Sequence, residues 1–217
     1  MEFFEDLFIY GGFIMSPLII LMGWSLHYRK KYTNHYLPII WLTMASLFCN
    51  LLALYMREEI KNNMPVFHLY GLLHGTCLLW FFYLNLNKSK AVLWIGGVYL
   101  FLYIINSAHF ESIWTYNVMA KVTQNALFLG MSFWYFFFLY KSESLDELES
   151  NGIFWIVVGI LFYHAGAFFS SLFAAKILSI EDGSLFGSWV IHNIASLMKD
   201  ILFFVGLWMG RTRLQTR

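Results

Sequence analysis

LFGSWVIHNIASLMKDILFFVGLWM, residues 185–209, is long and apolar enough to cross a bilayer, yet it carries His192, Asn193, Ser196, Lys199 and Asp200 within its length. A crossing takes about 20 predominantly apolar residues at a rise of about 1.5 Å each. Six further stretches meet the same requirement: residues 8–27, 37–56, 66–85, 91–107, 118–140 and 153–178. Together the seven fill almost all of the 217 residues and leave no length for a separate soluble unit. The expected architecture is all-α, a polytopic bundle of seven transmembrane helices forming one domain over residues 1–217.

Composition agrees with a lipid environment. Only 12% of residues are charged and 59% are hydrophobic, whereas soluble domains carry about a quarter charged residues. A net charge of +1 gives no basic surface for nucleic acid. Cys49 and Cys77 lie inside apolar stretches without CxxC spacing and read as free thiols, not as a disulfide or metal framework. The start of the chain, with Glu2, Glu5 and Asp6, lacks the basic region of a cleavable signal, so the first stretch is expected to stay as a helix.

An odd number of spans puts the termini on opposite sides. Nine basic residues (Arg29, Lys30, Lys31, Lys88, Lys90, Lys141, Arg211, Arg213, Arg217) flank the spans on the C-terminal side, against four (Arg57, Lys61, Lys121, Lys176) on the other. The positive-inside rule therefore predicts a cytoplasmic C-terminus and an outside N-terminus. The one substantial cytoplasmic loop, residues 141–151, carries Glu143, Asp146, Glu147 and Glu149 and reads as a solvated linker or a docking surface for a cytoplasmic protein.

Small residues at a spacing of four mark where helices approach closely, because van der Waals packing drives association in lipid. The sixth stretch has two such ladders, Gly166, Ser170, Ala174 and Ala167, Ser171, Ala175; the third has Gly71 and Gly75. Pro17, inside the first stretch, removes one backbone hydrogen bond and is a candidate kink.

The polar residues of the last span fall in one wedge of about 120° at about 100° per residue. A lipid-facing lysine or aspartate costs several kcal/mol, so that wedge must face the bundle interior. Lys199 and Asp200 are sequence neighbours, and each is expected to find its partner on another helix or to share a water. Other spans add Asn50, His68, Asn106, Lys121, Gln124 and Asn125 at a depth comparable to His192, with His109 just beyond the fourth span and His74 and His164 deeper. The expectation is a polar funnel that opens outward and narrows to a charged centre. Small-molecule contact would fall to His68, Asn106, Lys121, Gln124, Asn125 and His192, above a buried centre of His74, His164, Asn193, Ser196, Lys199 and Asp200.

Several chemistries can be weighed against these residues. Seven helices, an outside N-terminus and a lysine in the last helix resemble the plan of retinal proteins, which implies a Schiff base at Lys199. Such a base wants a carboxylate from the third helix, and residues 66–85 contain none. His74 with His164, or His68 with His192, could serve as axial pairs for a haem. No HExxH or nucleophile elbow is present, and no catalytic residue is assigned. No cofactor is required by this pattern.

The stretches SPLIILMGW (16–24), FHLYGLLH (67–74) and FWIVVGILFYHAGAFF (154–169) resemble a group of small bacterial seven-helix membrane proteins associated with sensing beside histidine kinases. An acidic residue that the group often carries near the position of His74 is absent here. The resemblance implies a non-enzymatic sensor or signalling protein of the bacterial inner membrane that passes its signal to a cytoplasmic partner. The alternative is an accessory or structural subunit of a membrane complex.

Overall fold

The computed structural model describes residues 2–28, 34–142, 150–177 and 185–213, with side chains described within 11–28, 34–142, 150–172 and 191–210. Seven helices follow one another: α1 (Glu2–Tyr28), α2 (Leu37–Glu59), α3 (Met64–Asn85), α4 (Lys90–Ile105), α5 (Val118–Lys141), α6 (Gly152–Ile177) and α7 (Leu185–Arg213). Among the described residues there is no strand, and all seven helices are long and apolar enough to span a membrane. Acidic residues 143–149 and basic residues 29–31 and 217 lie outside the described residues, as do the side chains of Ala174, Ala175, Lys176, Arg211 and Arg213.

Proline marks two of the helix starts. Pro38 and Pro65 occupy the first turns of α2 and α3, where a missing N–H costs nothing. Pro17 lies within α1, which continues through it. A 3₁₀ turn over Asn34–Tyr36 leads into α2. The far end of α4 departs from the expected plain span: Asn106–Phe110 forms a π turn, closed by the Glu111 amide donating to the Asn106 carbonyl at 2.9 Å.

Packing arranges six helices in a ring. α1 lies on α2, α2 on α3, α3 on α5, α5 on α6, α6 on α7, and α7 returns to α1, with the α6–α7 pair the most extensive. α4 stands outside this ring, packed on α3 and barely touching α5. The α6–α7 contact is close because it is made by glycines on both sides. A Cβ on Gly152 would collide with the Gly206 carbonyl, and one on Gly206 would lie 2.6 Å from the Gly152 carbonyl. On the next turn of α7, Gly210 receives the Tyr36 hydroxyl, which would stand 2.6 Å from an added Cβ.

The small-residue ladders sort by partner. Gly166 faces Ala195 of α7, while Ala167 packs with Tyr163 and Ala195. Ser171 turns instead to Asn125 of α5, and Ser170 donates back to the Gly166 carbonyl. Gly71 and Gly75 of α3 admit the rings of Tyr103 and Tyr99 from α4. Below this layer the core is apolar, built on Phe81, Phe82, Phe128, Ile156, Phe203 and Leu207. Large exposed side chains such as Trp94, Phe101, Phe133 and Trp208 give the bundle its apolar outer surface.

Candidate functional site

The polar residues form two clusters, not one funnel. The first lies at mid-bundle and is organised by His74 of α3 and His164 of α6, which are 3% and 1% exposed. Their Nε2 atoms are 3.3 Å apart. His164 Nδ1 stands 2.8 Å from Asn125 Oδ1, and Asn125 Nδ2 donates to Ser171 Oγ at 3.3 Å. His74 Nδ1 stands 3.0 Å from the Tyr70 hydroxyl.

These contacts determine the direction of every proton. Asn125 uses its amide hydrogen on Ser171, so its Oδ1 accepts and His164 Nδ1–H donates. A neutral His164 then has a bare Nε2, which accepts from His74 Nε2–H. His74 Nδ1 is bare in turn and accepts from the Tyr70 hydroxyl. The result is a directed chain, Tyr70 to His74 to His164 to Asn125 to Ser171, crossing from α3 through α6 to α5 and back to α6. Gln124 braces it by donating to the Gly71 carbonyl at 2.9 Å.

Beside the chain is a cavity of about 30 Å³ lined by Tyr116, Lys121, Gln124, His192 and Ser171 as well as the paired histidines. That volume suits about one or two water molecules. Lys121 Nζ lies 5.1 Å from the Tyr116 ring centroid and 5.3 Å from that of Phe67, so aromatic faces receive its charge. His192 packs edge-on to Tyr163 at 5.5 Å.

Lys199 and Asp200 are both 5% exposed, as a wedge facing inward requires. Their pairing differs from the expectation of partners on other helices: Lys199 Nζ lies 3.1 Å from Asp200 Oδ1. The long flexible lysine stem bends round the helix to reach its neighbour, which a projection of Cα positions cannot show. Lys199 Nζ also stands 4.9 Å from the centre of the Tyr163 ring, and the His74 ring lies 5.7 Å from the same ring. Tyr163 thus contacts both the ion pair and the histidine chain. Asp200 Oδ2 faces α1, 3.7 Å from where a Gly12 Cβ would be. Asn193 and Ser196 are half-buried on the same helix and take no part in the chain.

The second cluster holds His68 and Asn106, which depth alone had grouped with His192. His68 Nε2–H donates to the Thr115 carbonyl at 3.0 Å, and its Nδ1 accepts from Asn117 Nδ2 at 3.0 Å. Asn117 Oδ1 accepts from the Ala120 amide and so caps α5, and it also accepts from Asn106 Nδ2, both at 3.1 Å. Glu111 accepts from Asn106 Nδ2 at 2.6 Å and from the Met119 amide at 3.0 Å. The Tyr103 hydroxyl donates to the His68 carbonyl at 2.8 Å. This cluster clamps residues 106–117 onto α3. His109 lies on the exposed side of the π turn.

Sequence reasoning missed Asn117, Thr115, Glu111 and Ser107, whose hydroxyl accepts from Asn117 Nδ2 at 3.4 Å. Their only signal is a polar run between two spans, which an ordinary loop also has.

The histidine pair leaves no room for a haem plate between its rings: the nitrogens are in direct hydrogen-bond contact and the adjoining space is about 30 Å³. Small-molecule and cofactor sites occupy about 300–1,000 Å³. The other suggested axial pair is divided between clusters, His68 against the 106–117 connection and His192 against Tyr163. Among the described residues no group of three or more His, Cys, Asp or Glu is arranged to hold a metal ion. Compared with protein-family models, with curated proteins and with solved structures, the chain matches none.

Proposed function

We propose that this integral membrane protein is a non-enzymatic sensor whose two-state element is the buried hydrogen-bond chain from Tyr70 to Ser171. The observation that carries the reading is the uniform polarity of that chain. Turning the Asn125 amide over reverses every donor while keeping every partner, once each histidine has given up the proton on one ring nitrogen and taken one on the other by exchange with water in the adjoining cavity, which Tyr70, His74, His164 and Asn125 all line. Two arrangements that keep the same partners are what a ligand or a membrane state needs in order to bias an output. One link lies within α3, one joins α3 to α6 and two join α5 to α6, so reversal acts on α3, α5 and α6 together.

The Asn125 amide within the chain makes it a poor conduit for protons along its length, because the amide can turn but does not readily accept and release a proton. A switch therefore suits it better than a pump. The Lys199–Asp200 pair, which shares the Tyr163 ring with His74, supplies a fixed field that favours one polarity. The resemblance to bacterial seven-helix proteins associated with histidine kinases supports the same reading. It adds a bacterial inner-membrane location, a cytoplasmic C-terminus and a cytoplasmic partner to the proposal.

The test is complementation. Deletion of the gene in its host should change a transcriptional response, and wild-type protein should restore it. Asn125→Leu, which ends the chain at His164, should insert and fold but fail to restore. Full restoration by that variant would remove the chain from the function.

A further inference from the structure

A cavity outside the polar core lies between α4 and α5. It encloses about 450 Å³ and is bordered by the exposed side chains of Leu102, Phe110 and Met119. Leu102, Ile105, Phe110 and Met119 make its apolar walls, and the rings of Tyr99 and Tyr103 form its back. Its polar end is the π turn, with Asn106 and Glu111. π turns occur often at functional sites, since the wider turn re-aims side chains at a cost in helix regularity.

Glu111 makes this groove more than a gap for ordinary lipid. The carboxylate is half-buried, and its two described hydrogen bonds come from neutral donors, Asn106 Nδ2 and the Met119 amide. Among the described residues the only ion pair is Lys199–Asp200, so no described cation pairs with Glu111. Lys121, on the same helix as Met119, turns away over Phe67 and Tyr116. A carboxylate has about four acceptor sites, so at least two remain. A negative group with no described cation beside it, at the end of an apolar slot, is complementary to a molecule with a hydrocarbon tail and a positive head.

The geometry points to a binding site for a membrane lipid with an ammonium-bearing headgroup, its chain in the α4–α5 groove and its ammonium on Glu111. The lipid is the committed occupant because the groove opens sideways into the apolar surface, where Leu102 and Phe101 are exposed. Tyr99 and Tyr103 connect the site to the interior: they contact Gly75 and Gly71 of α3, the helix that carries His74. Binding stands independently of the proposed switch.

The test is competitive retention measured by native mass spectrometry of the full chain released from bilayers. Those bilayers contain equal amounts of a phosphatidylethanolamine and a phosphatidylglycerol with identical chains. The wild type should retain the ethanolamine lipid in preference by about tenfold, the worth of one charge-assisted contact. Glu111→Gln keeps a polar side chain for the loop but removes the charge, and should abolish the preference. Thr123→Trp, which fills the groove from the α5 side while leaving the Glu111 carboxylate in place, should abolish retention of both lipids at this site. Equal retention of the two headgroups by the wild type, or an unchanged preference in folded Glu111→Gln, overturns the assignment. Should Glu111→Gln fail to fold, an unchanged preference in Thr123→Trp overturns it equally. Binding of dodecylamine but not of the ethanolamine lipid overturns the lipid as occupant.

Discussion

At the scale of single residues, the histidines are held by what their ring nitrogens must do. His74 and His164 each have both nitrogens engaged, so removing either ring strands a buried partner. His164→Leu should cost about 1–3 kcal/mol, the penalty of leaving buried polar groups unpaired, read from thermal unfolding in detergent. A double-mutant cycle of His164→Leu with His74→Leu should show a coupling of about 0.5–2 kcal/mol, whereas additive losses would mean the rings do not bond. Lys199 follows a related logic. Lys199→Met alone leaves Asp200 buried without its cation and should destabilise by about 3–5 kcal/mol. Replacing both, Lys199→Met with Asp200→Leu, should recover most of that stability while leaving the chain without its fixed field. The inward placement of both residues was legible from periodicity and from the cost of exposing charge to lipid. Their mutual pairing was not, because a helical projection carries no information about side-chain reach.

At the scale of elements, the α6–α7 contact depends on backbones meeting without side chains between them. Gly152→Ala or Gly206→Ala should cost about 1–3 kcal/mol by forcing the helices apart. Gly130→Ala, on an exposed face with nothing within 4 Å of the new methyl, should be neutral or stabilising by up to about 1 kcal/mol. The helix boundaries were largely legible, since an apolar run and its flanking polar residues mark where lipid ends. The exceptions are α1, which begins at Glu2, and α7, which ends at Arg213, where polar turns extend the helices past their apolar cores. Gly152, Gly206 and Gly210 escaped notice because the informative spacing runs between two helices and only partly along one. The π turn of residues 106–110 was equally hidden, being set by the bonds of Asn106 and Asn117 and not by local propensity. Asn117→Ala should remove the α5 cap and loosen the 106–117 connection, at about 1 kcal/mol for the cap alone.

At the scale of the whole molecule, ranking residues by depth placed His68 and His192 together, although lateral position divides them between separate clusters. A depth estimate orders residues along the membrane normal and cannot tell which helices adjoin. Orientation is testable in intact cells. With Cys49 and Cys77 replaced by alanine, Trp114→Cys should react with a membrane-impermeant thiol reagent from outside, and Ser142→Cys only after permeabilisation; the reverse pattern would invert the proposed topology. The proposed switch rests on one arrangement, in which the paired histidines are opposite tautomers joined by a single N–H···N bond. Solid-state NMR of ¹⁵N-histidine-labelled protein in bilayers reads this directly. The expected spectrum places the proton of His74 on Nε2 and that of His164 on Nδ1, with a nitrogen–nitrogen coupling across their hydrogen bond. Identical tautomers without that coupling would contradict the directed chain and the switch built on it.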